Sequence, residues 1–502
     1  GRSRSRLCVR IAMMSCTPLG GLKVAAQVLA IAVHEPTKMV AVAVSRLEGD
    51  IWDGCVELWS LSAMDATGSF APSTSAPSYD GGNASSAAPS SVAAAAGGCR
   101  GRLAIPCGVS SLAWVSSSSE VTFHQQLAVG RDDGVVSVLS WDPRKATLTL
   151  KHQFTEHDDA VNCVETASLS SSSSSSSSPS VFATGSADGS VRVWDLASSI
   201  PQSSEACLAM PELGNVACLA VAPWAPHCNA MVVGHGNSSG RFGPCLGLWI
   251  RNPSKLGATT VLHGLCSTIT PPSLATQRVA SAAGGVGDCA SPTAVCYTTA
   301  APTTSAALST SSTPTPAPFD GGGDNGVGSH VFVVGYDDGS LAVYDDRTSF
   351  SKCKPSAGSV ALSPSSPSFV VPLRVLRPHG NQAVRCLAPF ALTAGDFTSH
   401  EEARHFVLSG AEDCRAVVTQ VTGGEQKGCG DGSGGGAEGA PTEVVVDGRE
   451  DYVLAVATIR VSSASSTTGE GKGGDSSSRL AVLTGGMDGQ VRMAEMTAAL
   501  GW

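Results

Sequence analysis

The sequence predicts an all-β chain, a seven-bladed β-propeller with long disordered Ser/Gly/Ala-rich loops, and three observations predict it. A strand–turn–strand frame recurs with Gly three positions before Asp. Short apolar strands precede the copies. Low-complexity tracts account for the spacing left over. The clearest copy runs Val181-Phe-Ala-Thr-Gly185-Ser-Ala-Asp188-Gly189-Ser-Val-Arg-Val-Trp194-Asp195. Asp-Gly supplies the turn, because Gly accepts positive φ and Asp bonds the backbone across it. Val191, Val193 and Asp195 fall on one face of the second strand, Arg192 and Trp194 on the other.

The frame returns at Gly130 with Asp133-Gly134, at Gly335 with Asp338-Gly339, at Gly410 with Asp413, and at Gly485 with Asp488-Gly489. Two weaker copies complete seven. Trp52-Asp53-Gly54-Cys-Val-Glu-Leu-Trp59 is read as keeping the turn and the second strand. Ala230-Met-Val-Val-Gly234 followed by Cys245-Leu-Gly-Leu-Trp249 keeps both strands around a stretched turn. Inner strands are expected at Val109–Trp114, Ala160–Val164, Asn215–Val221, Ala383–Leu387 and Tyr452–Val456, and Val24–Val33 is expected to close the ring against the last blade. The stretch from 214 to 298 leaves the limits of the fourth blade open.

Between these strands lie tracts near 70–98, 169–180, 299–325, 423–440 and 462–478. They cannot bury enough apolar surface to offset their chain entropy, so they are expected to be disordered. Lengthening a loop costs only ~0.6 kcal/mol per doubling, so a ring of blades tolerates them. The organisation expected is a disordered N-terminal segment, 1–20, and a single propeller over 21–502. Met13 or Met14 is a candidate start.

Composition narrows the function. The net charge is −10, and Lys and Arg concentrate only in residues 1–10, which argues against direct nucleic-acid binding and weakly for basic partners. No apolar run reaches the ~18–20 residues of a membrane helix. The 17 cysteines contain no C-x-x-C pair and many sit in strand-like positions, as in Val384-Arg-Cys386-Leu. They are read as reduced and structural, in an intracellular protein, cytoplasmic and nuclear. No metal site, cofactor or catalytic constellation is expected. Gly321–Gly326 follows no strand and opens no helix, so it lacks the context of a phosphate loop.

These frames resemble the WD-repeat family. The resemblance implies a buried tetrad of His157, Thr184, Asp188 and Trp194, a structural network rather than a catalytic set. His379 is a candidate for the same role in the sixth copy, which lacks the Trp. Glu156-His157-Asp158-Asp159, Trp52–Trp59, Gly108–Trp114, Ser409–Cys414 and Arg449–Val453 further resemble the WD-repeat subunits of methylosomes. That resemblance implies a non-catalytic scaffold bound to a type II protein arginine methyltransferase and presenting basic substrates, Arg/Gly-tailed or histone-type. It makes Trp52 and Asp53 the partner-binding candidates, Trp52 as an aromatic anchor. Glu156, Asp158 and Asp159 are candidates to attract basic tails. The alternatives are a substrate receptor of a cullin-RING ubiquitin ligase, through Trp141-Asp-Pro-Arg144 or Tyr344-Asp-Asp-Arg347, or another WD-repeat adaptor.

Overall fold

The computed structural model describes residues 13–24, 26–48, 51–61, 98–115, 125–166, 180–197, 203–209, 211–223, 228–236, 245–250, 265–269, 290–298, 330–346, 372–392, 404–421, 443–462 and 478–499. They form seven four-stranded antiparallel sheets. The first blade is β2 (Gln27–His34), β3 (Met39–Glu48), β4 (Ile51–Ser60) and β5 (Cys99–Ile105). The second is β6 (Val109–Val115), β7 (Gln125–Arg131), β8 (Val136–Asp142) and β9 (Thr147–Phe154), and the third is β10 (Val161–Thr166), β11 (Val181–Ser186), β12 (Ser190–Asp195) and β13 (Ala206–Ala209). The fourth is β14 (Val216–Val221), β15 (Ala230–His235), β16 (Cys245–Ile250) and β17 (Leu265–Ile269), and the fifth is β18 (Pro292–Thr298), β19 (Val331–Tyr336), β20 (Leu341–Asp345) and β21 (Arg374–Leu376). The sixth is β22 (Val384–Leu392), β23 (Arg404–Ala411), β24 (Arg415–Gln420) and β25 (Glu443–Gly448). The seventh joins β26 (Val453–Ser462), β27 (Ser478–Gly486) and β28 (Gln490–Ala499) to β1 (Met13–Lys23).

The ring closes through β1, which pairs antiparallel with β28 from Met13↔Ala499 to Lys23↔Gln490. Two expectations are corrected here. Residues 13–20 are strand rather than a disordered tail, because the outer edge of β28 takes them as its pairing partner and Cys16, Leu19 and Leu22 find apolar neighbours. Residues 27–33 do not close the ring but form the inner strand of the first blade, pairing with β3. The fourth blade ends with β17, and the inner strand of the fifth, β18, starts at Pro292. The low-complexity tracts lie outside the described residues, apart from their end residues Gly98, Ser180, Ser462 and Ser478.

There is no single core. Seven apolar clusters lie between neighbouring blades, the last between the seventh and the first. Along β3, Val40, Val42 and Val44 face the seventh blade, while Met39, Ala41 and Ala43 face the second. Each middle strand is therefore buried on both sides, which is why it reads as a continuous apolar run. Burying one such Val or Leu contributes about 1.5–3 kcal/mol.

The repeat glycines are needed for this stacking. A Cβ on Gly185 would meet Val216 and Cys163, and one on Gly410 would meet Val453 and Cys386. In both cases the obstructing valine opens the next blade's inner strand. The turn glycines answer a different demand: Gly134 and Gly189 both have φ +80°. In the sixth blade Cys414 takes that place, at φ +64°. Among the described residues no helix is long and apolar enough to cross a membrane.

Candidate functional site

The third blade carries a connected polar network. His157, in the loop before β10, has Nδ1 3.0 Å from Asp188 Oδ2 and Nε2 2.8 Å from Thr184 Oγ1. Trp194 Nε1 donates to Thr184 Oγ1 at 2.9 Å. The assignment that satisfies every atom has Nδ1–H donating to Asp188 and the Thr184 hydroxyl donating to Nε2. Asp188 also accepts the Ser190 amide at 2.7 Å and the Asp158 amide at 3.1 Å. Burial works against its charge, yet these bonds, led by that from His157, hold its carboxyl well below the usual carboxylate range. Trp194 stacks on Phe154 of the preceding blade, with ring centroids 4.5 Å apart. The His157 side chain is fully buried, so the network fixes a loop, a turn and two blades.

The other blades occupy the same frame differently. In the sixth, His379 Nδ1 lies 2.9 Å from Asp413 Oδ2 and Nε2 lies 2.7 Å from Ser409 Oγ. Thr419 stands where the third blade has Trp194; it is buried and its hydroxyl has no hydrogen-bond partner. Burial lowers the His379 pKa, and Asp413 opposes that shift. In the fourth, Val233 stands where Thr184 stands, and the buried Trp249 Nε1 is left without a partner. In the fifth, Tyr344 replaces the Trp and its hydroxyl lies 3.1 Å from that of Tyr336, while Asp338 Oδ1 accepts the Ser340 amide at 3.0 Å. In the second, Asp133 pairs with the buried Arg131.

The seventh blade uses an arginine. Arg449 is buried and donates from Nε to Asp447 Oδ2 at 2.6 Å, from Nη1 to Asp488 Oδ1 at 3.0 Å and from Nη2 to Thr484 Oγ1 at 2.5 Å. Thr484 and Asp488 repeat Thr184 and Asp188. Arg449 sits four residues before β26, as His157 sits four before β10. Sequence reading missed this role; that spacing was the available signal.

The first blade departs most. Its inner-strand register aligns Ala43 with Gly185, where the third blade's middle hairpin stops at Gly185↔Val191. Strands β3 and β4 continue through Val44↔Cys55, Ser45↔Gly54, Arg46↔Asp53, Leu47↔Trp52 and Glu48↔Ile51, five rungs further. Asp53-Gly54 is thus strand, not turn, and the chain reverses between Glu48 and Ile51. Trp52 is half-buried: its indole lies over Gly108, at the entry to the second blade, and its N–H faces the carboxylate of Asp132. Burial raises the Asp132 carboxyl, and Trp52 opposes the shift. Asp53 pairs with Arg46 at 3.4 Å. Leu47, cross-strand from Trp52, is 57% exposed.

The remaining candidates are placed as follows. Glu156 is engaged by Arg192 and accepts the Ser204 amide at 2.7 Å, so it braces the blade instead of facing outward. Asp158 and Asp159 are exposed. Trp141 and Tyr344 are buried between blades, at 3% and 0% exposure, and Arg347 lies outside the described residues. Twelve of the described cysteines are free thiols, and burial raises most of them, Cys218 to about 12. Among the described residues no cluster of His, Cys, Asp and Glu could hold a metal ion.

A known repeat family matches the third-blade geometry. The family described as WD domain, G-beta repeat matches residues 148–195, from the outer strand of the second blade through the third strand of the third, with the whole tetrad inside. No curated protein matches the chain. Among solved structures, a chain of the "Crystal Structure of Mitotic Checkpoint Complex" is 12% identical, with 99% of this chain and 95% of that chain covered and a TM-score of 0.47. The chain is a seven-bladed β-propeller whose third blade carries a repeat similar to the WD domain, G-beta repeat.

Proposed function

We propose that the chain is a non-catalytic protein-binding scaffold, and specifically the substrate-presenting subunit of a type II protein arginine methyltransferase complex, cytoplasmic and nuclear. The observation that carries the reading is the first-blade hairpin. It runs five rungs past the frame and presents Leu47 to solvent. Trp52 braces the hairpin on the second blade, and Asp53 with Arg46 stiffens its other face. A rigid projecting hairpin with an apolar tip suits a partner's pocket, since binding costs it little ordering entropy. The buried His–Asp pairs are used in holding blades together, which supports a scaffold over an enzyme. The ubiquitin-ligase alternative loses support because Trp141 and Tyr344 are buried.

The test is capture from native extract with the tagged chain, wild type against Leu47→Asp/Trp52→Ala, read by mass spectrometry. The reading predicts a type II arginine methyltransferase with wild type and its loss from the variant. Recovery of a cullin adaptor, unchanged by the variant, would refute it.

A further inference from the structure

The third and seventh blades match residue by residue, because their middle hairpins share one register. Gly185 pairs with Val191 and Phe182 with Trp194 in the third, and Gly485 with Val491 and Val482 with Ala494 in the seventh. Ala494 therefore stands in the place of Trp194, and Val482 in the place of Phe182. The preceding blades match in the same way. Phe154 pairs with Val136, the residue opposite Gly130, and Asp447 pairs with Ala416, the residue opposite Gly410. Asp447 therefore stands in the place of Phe154. Between the second and third blades these positions hold three stacked rings, Trp194 lying 4.5 Å from Phe154 and 6.3 Å from Phe182. Between the sixth and seventh blades all three rings are gone.

A cavity of about 520 Å³ lies there, walled by Val482, Thr484 and Ala494 of the seventh blade and by Val446 and Asp447 of the sixth. Its volume is that of a small-molecule site. Strand β1 adds no bulk, since Gly21 stands opposite Arg492 where the third blade has Cys207 opposite Arg192. In the sixth blade Thr419 also replaces the Trp, but there a buried Leu376 stands in the place of Phe154. The charged side chains on the cavity lining are Lys23, Asp447 and Arg492. Asp447 is committed: its Oδ2 accepts from Arg449 Nε at 2.6 Å and from Thr484 Oγ1 at 2.7 Å, and its Oδ1 accepts from Arg492 Nη1 at 2.8 Å. Arg492 Nη2 only approaches Asp488, at 3.7 Å. Lys23 is exposed on the last rung of β1, opposite Gln490, and no carboxylate among the described residues pairs with it. The lining thus sets two cations against one carboxylate that is already satisfied.

We propose that the cavity between the sixth and seventh blades is a binding site for a small aromatic carboxylate. Its ring takes the space that the third blade fills with its own indole, against Val482, Ala494 and Val446. The Arg492 guanidinium on the lining favours a π face over an aliphatic body of the same size. The carboxylate meets the Lys23 ammonium, a charge-assisted contact that a neutral ligand does not make. The inference does not rest on the first-blade hairpin or on which enzyme that hairpin engages.

The test is titration calorimetry of the full chain with indole propionate and with the corresponding amide. Wild type should bind the acid about tenfold more tightly than the amide. Lys23→Gln should erase that difference and leave binding of the amide unchanged. Ala494→Trp returns the chain's own indole to the slot and should abolish binding of both, with the fold kept by circular dichroism. Ala494→Leu, a smaller filler that the apolar walls accept, should weaken both by about fivefold or more. Wild type that binds neither compound, wild type that binds the two alike, or undiminished binding of the acid in folded Ala494→Leu overturns the proposal.

Discussion

The third and seventh blades build the same frame with different chemistry. In the third, a buried His157 joins Asp188 to Thr184, and Trp194 completes the chain of bonds. In the seventh, Arg449 reaches Asp488 and Thr484 from the equivalent loop, and Ala494 stands in the place of the Trp. The comparison shows what the frame requires. The turn Asp fixes its own hairpin by accepting a backbone amide, and its outer oxygen needs a donor from the loop that enters the blade. Histidine meets that need with one neutral ring. Arginine meets it with a charge, and that charge recruits Asp447, which also takes Arg492 at 2.8 Å. The seventh blade therefore joins four charged groups in one network, where the third keeps Asp188 on its histidine and the Arg192–Glu156 pair apart from it.

The largest effect is expected from breaking the charged version. Arg449→Ala leaves Asp447 and Asp488 without their buried partner and should destabilise the chain by about 3–5 kcal/mol, read as a fall in denaturation midpoint. His157→Ala should cost less, about 1–3 kcal/mol, because Asp188 keeps its two amide donors and Thr184 keeps its bond to Trp194. The two should also differ in acid. The folded Asp188 carboxyl is depressed, so its contribution is complete above the ordinary Asp value of ~3.9 and is lost as pH falls further, through its folded value. His157→Ala should flatten that acid limb of the melting curve most, and Arg449→Ala less, through Asp447, whose carboxyl is held below the usual range, against burial, by Thr484 and Arg449. Melting temperature against pH from 2 to 7 distinguishes them.

Two smaller effects sharpen the comparison by repairing weaker blades. Cys414 holds a left-handed backbone where other blades have Gly, so Cys414→Gly should stabilise by about 1 kcal/mol. Val233→Thr should give the Trp249 N–H the acceptor that Thr184 gives Trp194, a gain of about 0.5–1 kcal/mol by equilibrium unfolding.

How much could be read from the sequence follows from where the physics is local. The middle hairpins were legible, since Gly-x-x-Asp combines a close blade contact with a tight turn in a few residues. Inner strands were legible where a valine opens them, as in β10 and β22, and β18 was missed because it opens with Pro292 after a long tract. The outer strands were not legible: β13 and β21 span four and three residues, too few for a period. Ring closure by β1 is a contact between opposite ends of the chain and leaves no local mark. The first-blade hairpin was misread because Asp53-Gly54 imitates a turn, whereas the strands reverse between Glu48 and Ile51. Arg449 was passed over because it was weighed only within the Arg449–Val453 resemblance, although its spacing to β26 matches that of His157 to β10.

The account turns on the hairpin, and the most direct measurement is the affinity of the purified chain for a purified type II arginine methyltransferase, before and after the hairpin is shortened. Replacing residues 45–54 by a two-residue turn removes the rungs beyond Val44↔Cys55 and leaves the blade frame in place. The account predicts a loss of affinity of about 100-fold or more, about 2.7 kcal/mol, with the ring still folded by circular dichroism. An unchanged affinity in the shortened, folded chain would contradict it.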